Sequence, residues 1–297
     1  MLFKMESTNN LRSWVMLLFL SIIWGSSFIL IKRGLTGFSP VQVGILRVSV
    51  TALAFMPFAL FHLRRYKNKN TRYLILSGVL GSALPSMLFP LAQTKLSSGV
   101  AGILNSLSPL FALLLGIIWF GQYWKKIWLL GVFLGLAGAI VLIAFQNGVQ
   151  WDGNIEQYQY AGYAVLATIC YGMSVNVVKK YLQDVPSLQI SAFSFSLIGV
   201  PIWLMIPPAG IPEQLATEPQ AWSALGYIAL LALAGTALAT VVFFRLVQMT
   251  NVVFSSSVAY LIPIVALLWG LVDNEPFNAW QLVGMVLILA GVYLTKR

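Results

Sequence analysis

The chain has 297 residues, 59% of them hydrophobic and 9% charged, with a mean hydropathy of +0.85. Soluble proteins average about 25% charged residues, and a soluble fold of this length could not hide so much apolar surface. The net charge of +10 would suggest nucleic acid in a polar chain, but in an apolar one it marks loops on one membrane face, so no nucleic-acid partner is expected.

Ten hydrophobic stretches follow in chain order, at about 13–31, 41–61, 73–92, 98–119, 127–145, 160–178, 187–207, 222–246, 253–271 and 279–295. Most approach the ~20 residues a helix needs to cross the hydrocarbon core. No alternating barrel pattern competes, so helices are the spanning element. The first stretch follows Lys4 and Arg12 as in a signal peptide, but it ends in I-L-I-K-R-G with no small-residue cleavage site, which predicts a retained helix. The expected fold is an all-α polytopic membrane protein with ten transmembrane helices.

Charge predicts the orientation. With the N-terminus inside, the inner segments carry Lys4, Arg12, Arg64, Arg65, Lys67, Lys69, Arg72, Lys125, Lys126, Lys179, Lys180, Arg245, Lys296 and Arg297, and the outer ones only Lys32, Arg33 and Lys95. That excess places both termini in the cytoplasm and the chain, multi-pass, in the cell (plasma or inner) membrane.

The chain also repeats itself. W-G-S-S-F-I-L-I-K-R (24–33) aligns with Y-G-M-S-V-N-V-V-K-K (171–180), 147 residues on. G-S-A-L (81–84) aligns with G-T-A-L (235–238), and Pro109 with Pro263, both 154 residues on. L-A-G at 136–138 and 289–291 closes the series. Two five-helix halves, 1–147 and 148–297, therefore form one membrane domain and meet in the polar segment 146–159. An odd number of crossings inserts the second half upside down relative to the first.

A proline breaks one helical hydrogen bond, which a membrane tolerates where a hydroxyl, a neighbouring helix or water satisfies the freed carbonyl. Ser106 and Ser108 stand beside Pro109, and Tyr260 lies one turn before Pro263. Paired interruptions in inverted halves point to a transporter's central site and to a kink or gating role for both prolines; the alternative is a purely structural kink.

These features, in order, resemble the drug/metabolite transporter superfamily. They are W-G-S-S-F at 24–28, a lysine closing helix 1, Ser39-Pro40 before helix 2, L-R-V at 46–48 and S-P-L-F-A-L-L at 108–114. G-x-x-L-x-L-A-G at 131–138 and G-x-x-L-I-L-A-G at 284–291 point to its EamA branch. The resemblance implies a ten-helix exporter of small metabolites such as amino acids; relatives move sugars, nucleotide sugars or cationic drugs. The family's Gly-Glu after helix 4 reads Gly121-Gln122 here, whereas the second half keeps the acid as Asn274-Glu275.

Trp24 lies ten residues into helix 1, roughly 15 Å deep, unlike the usual interfacial tryptophan. Tyr171 is equally deep in helix 6. Trp24, Ser27, Tyr171 and Asn176 form one candidate cargo wall, completed by Asn105 and Ser108 on helix 4 and Tyr260 on helix 9. Ser82, Pro85, Ser86, Thr236 and Thr240 form a second ring. Small polar residues also suit plain helix packing. Arg47 is the one charge placed well inside a stretch; it either snorkels to the outer interface or contacts an anionic cargo. Lys32 and Lys95 read as interfacial anchors.

Other classes fit less well. The sole histidine, His62, sits at a helix end beside Arg64 and Arg65, with no Ser-His or carboxylate pair for an intramembrane enzyme. The lone Cys170 permits no disulfide within the chain and no cysteine-rich metal site, and neither a metal nor a cofactor is expected. A channel would call for a charged ring; a receptor is a further alternative. The partners expected are a small-molecule substrate and the bilayer, with the chain as monomer or homodimer. All eight acids map to termini, loops or helix ends, so transport without an obligatory proton step is expected.

Overall fold

The computed structural model describes residues 11–65, 70–121, 123, 125–145, 155–249 and 258–295. Residues 146–154 of the predicted junction, the start of the ninth stretch at 253–257, and Lys4, Glu6, Lys67, Lys69, Gln122, Lys296 and Arg297 lie outside them. Among the described residues every regular element is helical. We label the principal helices α1 (Leu11–Gly34), α2 (Pro40–Phe61), α3 (Thr71–Gln93), α4 (Ser98–Phe120), α5 (Lys126–Ala144), α6 (Ile155–Tyr181), α7 (Ser187–Trp203), α8 (219–249), α9 (Val258–Val272) and α10 (Ala279–Leu294). Seven of them are long and apolar enough to cross a membrane, and α7, α9 and α10 are shorter apolar helices.

Helix ends follow local chemistry. Ser39 caps α2 in a reciprocal pair with Gln42, and Pro40 occupies the first turn, where its missing N–H is harmless. α7 stops at Trp203, earlier than expected, because Pro207-Pro208 disfavours helix in the residues before it. α6 begins earlier than expected: its first turn is polar and escapes a hydropathy window, yet it is helical. α4 and α9 both finish at a residue in the left-handed conformation, Gly121 (φ 65°) and Asn274 (φ 56°). After α9 the Glu275 N–H reaches back to the Gly270 carbonyl (2.8 Å) and the Asn274 N–H to Leu271 (3.2 Å), a helix-closing turn that asparagine tolerates.

The outside of the bundle is apolar: Phe133 is 69% exposed, Ile140 67% and Leu53 64%. In water such a surface would aggregate; lipid solvates it. Inside, backbones approach through small residues. A Cβ on Gly131 would lie 2.6 Å from the Gly291 carbonyl oxygen, and one on Gly138 2.8 Å from that of Gly284. The start of α5 thus lies against the end of α10, in an antiparallel glycine seam.

The main remaining contacts come in pairs. α1 packs on α9 as α6 packs on α4, α2 on α8 as α7 on α3, and α1 on α8 as α6 on α3; α2 meets α7, and α5 meets α10. Each of these contacts has a counterpart in which every helix is exchanged for the one five places away. Two apolar cores result. One gathers α1, α4, α6 and α9 with the seam, and the other gathers α2 and α7. α3 and α8 contribute to both cores. Each carries a π-helical segment near the junction, Val79–Ala83 in α3 and Leu231–Leu238 in α8.

Candidate functional site

The two prolines are accommodated by one Ser-x-Ser segment. α4 breaks between Asn105 and Ser108, and Pro109 leaves the Asn105 carbonyl without its helical donor. The Ser108 hydroxyl donates to that carbonyl at 2.7 Å, as the sequence predicts. Pro263 frees the Ala259 carbonyl, and here the expectation needs correcting: its donor is not Tyr260 but Ser106, which reaches across from α4 at 3.2 Å. Tyr260 is half-buried against the α1–α4 core. Asn105 faces Ser108 through its own side-chain oxygen (3.5 Å). The proline level is thus a joint between the halves.

The second gathering of predicted residues lies at the π segment of α8. A π turn widens the backbone by one residue and re-aims its carbonyls and side chains. The Trp24 indole N–H donates to the Gly235 carbonyl (3.0 Å), and the Arg47 Nε–H donates to the Thr236 hydroxyl of the next residue (3.2 Å). Thr236 in turn donates to Leu231, five residues back (3.4 Å). Thr51 ties α2 to the same segment through Ala232 (3.3 Å). Arg47 also interacts electrostatically with Tyr171 on α6. A central arginine costs about 2.5–3.5 kcal/mol on insertion scales; this one spends its Nε–H on the middle of α8. Of the second ring, Thr236 takes part here; Thr240 donates to the Thr236 carbonyl (2.6 Å), and Ser82, Pro85 and Ser86 are buried in α3.

Aromatic rings flank this level in matched pairs. Trp24 packs on Phe243 with ring centroids 5.2 Å apart, and Tyr171 on Phe89 at 6.1 Å. Phe243 lies 154 residues after Phe89, so the pairs are repeat mates. Neither phenylalanine was singled out from the sequence; extending the G-S-A-L/G-T-A-L alignment by five residues finds both.

Ser27 and Asn176 serve local packing. Ser27 donates to Ile23 (3.1 Å) and sits where a Cβ on Gly235 would lie 3.0 Å from its hydroxyl oxygen. The Asn176 amide donates to Ala112 on α4 (2.8 Å) and to Gly172 (2.9 Å), pinning α6 to α4 beside the close approach at Gly172. The structure therefore brings Trp24, Arg47 and Tyr171 together, places Asn105, Ser108, Pro109 and Pro263 at the proline joint, and sets Ser27 and Asn176 in helix contacts.

At one end of the bundle lies an ionic cluster the sequence did not reveal. Lys32 contacts Asp273 (2.6 Å) and Glu275 (2.8 Å), and Arg33 pairs with Asp273. The Glu275 carboxylate, 5% exposed, also accepts the backbone N–H groups of Ser98 (2.9 Å) and Gly99 (3.4 Å), while Ser97 takes that of Val100 (3.2 Å). A carboxylate from the α9–α10 turn thus caps the start of α4. Lys32 is a bridge between the halves rather than an interfacial anchor. Its ammonium, with Arg33, holds the Asp273 carboxyl below the ordinary value of 3.8 against a smaller effect of burial. A wide groove of about 440 Å³ lies apart from all of this, between α5 and α6, lined by Ile140, Val165 and Leu166 among other mostly apolar residues.

The EamA-like transporter family matches residues 12–144 and again 160–297. The chain is 25% identical to the uncharacterized transporter YdfC of Bacillus subtilis, over 92% of this chain and 87% of that one. It is 26% identical to the uncharacterized inner membrane transporter YedA of Escherichia coli, and 26% identical to a probable terminal-alkyne amino-acid exporter of Streptantibioticus cattleyicolor; each match covers 93% of this chain and 90% of the relative. A crystal structure 15% identical in sequence superimposes with a TM-score of 0.62 over 96% of both chains, which shows the fold. Family and relatives point to transport rather than catalysis. This polytopic membrane protein belongs to the EamA-like transporter family.

Proposed function

We propose that the chain is a secondary transporter that exports a small metabolite such as an amino acid, by alternating access about a site between two inverted five-helix repeats. In this reading ten helices cross the membrane, both termini face the cytoplasm, and no obligatory proton step drives the cycle. The observation that carries it is the convergence of Trp24 and Arg47, from the first half, with Tyr171 and the α8 π segment, from the second. A site built from both halves can change its access when one half rocks against the other. The relative named as a probable amino-acid exporter supports the cargo class.

The test is counterflow in liposomes holding the purified full-length chain, preloaded in turn with each proteinogenic L-amino acid. Saturable counterflow for at least one is expected. No counterflow, or flux that never saturates, would sink the carrier reading. Uphill accumulation driven by a pH gradient alone, and abolished by an ionophore, would remove the clause on protons. Labelling of a C-terminal cysteine from outside would overturn the ten-helix topology.

A further inference from the structure

Arg47 is held at one point only. Its Nε–H is bound to Thr236, which fixes the guanidinium plane and leaves the two terminal nitrogens at the far end of the fork. Among the described residues that is the only hydrogen bond its side chain makes, and no carboxylate pairs with it. Tyr171, within electrostatic range of Arg47, likewise makes no side-chain hydrogen bond among them. Both groups are half-buried inside the bundle. An arginine in such a place is normally neutralised by an acid. Here none of the described residues supplies one, and α6 adds a phenolic group from the opposite half.

We propose that the missing partner is the cargo's carboxylate, accepted by the terminal nitrogens of Arg47 and the hydroxyl of Tyr171. This rests on the transport reading above and names what the site selects. A planar guanidinium offers two parallel N–H groups that match a carboxylate's two oxygens. The charge count favours a monoanion: one fixed positive charge and one neutral donor balance a carboxylate, whereas a phosphate monoester, at roughly −1.5 to −2, would leave excess negative charge in the membrane interior. The Trp24 indole N–H is already committed to Gly235, so its ring, with Phe243, is left as an apolar wall for the rest of the cargo. A cargo with a net positive charge would meet an unneutralised arginine and be excluded. Because the two donors sit on different halves, carboxylate binding also draws α2 and α6 toward one another.

The experiment compares a carboxylate with its own amide. In the counterflow assay, the amino acid that the panel identifies competes against its primary amide. The native chain should prefer the acid by about 10- to 100-fold, the worth of hydrogen bonds to a charged group. Arg47→Gln should level the two, and Arg47→Lys, which keeps the charge but loses the fork, should keep a reduced preference. Tyr171→Phe should lower the preference by about 3- to 10-fold. Equal competition by acid and amide in the native chain would overturn the proposal, as would a full preference surviving in a transporting Arg47→Gln variant. The native comparison needs no variant, so misfolding of Arg47→Gln leaves the test standing. If the panel gives no counterflow, the transport reading fails by itself. The carboxylate site is then read by melting the detergent-purified chain with benzoate or benzamide: stabilisation by benzoate alone supports it, and equal or no stabilisation refutes it.

Discussion

The two ends of the bundle are built on one plan and held by different chemistry. At one end Lys32 and Arg33, closing α1, meet Asp273 and Glu275 beyond α9. At the other, their repeat mates Lys179 and Lys180 close α6 beside the end of α4, and the Lys180 ammonium stands 5.4 Å over the ring of Phe120. In the register that matches the left-handed caps Gly121 and Asn274, Phe120 is the repeat mate of Asp273. Helix placement and left-handed caps recur in both halves, but the carboxylates do not. An exposed cation over a ring contributes about 0.5–1 kcal/mol, whereas a nearly buried carboxylate holding a lysine and a helix start contributes several times that. Repetition of a backbone does not repeat the energy that holds its ends together.

The sharpest way to break this comparison is Glu275→Gln. It removes the charge from the α4 cap and from Lys32 and should cost about 2–3 kcal/mol, read as a lower melting temperature in detergent; an unchanged melt would mean the two ends are equivalent. Lys32→Met should cost less, about 1 kcal/mol, because the side chain is 39% exposed and its pairs are partly screened; raising the salt should shrink the difference from the native chain. The comparison is sharpened from the other side by Phe120→Glu, which places a carboxylate under Lys180. It should stabilise by up to about 1 kcal/mol and slow counterflow, and a faster cycle would contradict it.

The smallest expected effect is that of pH. Asp273 is held below its ordinary value, so its contribution is fully present above about pH 4 and is lost only as pH falls through the lowered value. The ionic end should therefore stay closed from about pH 5 to 8, measured as constant protection of a cysteine introduced at Ser98. A midpoint near pH 6 would show that another group controls that end.

Much of this arrangement could be read from the residues. Pro109 and Pro263 declared themselves by their shared spacing, and Ser108 was in place to satisfy the first. The matching places of Trp24 in α1 and Tyr171 in α6 followed from the 147-residue offset. What stayed hidden depends on distant segments meeting. Ser106 serves a carbonyl 153 residues away, and Glu275 caps a helix 177 residues before it, distances at which local pattern carries no signal. The π segments were hidden for another reason: their one-residue widening leaves the run of apolar letters unchanged, and G-S-A-L against G-T-A-L marked the place without disclosing its shape.

The glycine seam bears on how the chain is assembled. Gly131 and Gly138 of α5 meet partners in α10, which leaves the ribosome about 150 residues later. At roughly 5–20 residues per second that is a wait of about 8–30 s. Throughout it the notched face of α5 stands in lipid with nothing fitted to it. The same notch could accept a nascent α5 from a neighbouring ribosome, since small-residue faces pair with one another. The order of synthesis, more than the finished fold, then decides how often two unfinished chains become entangled.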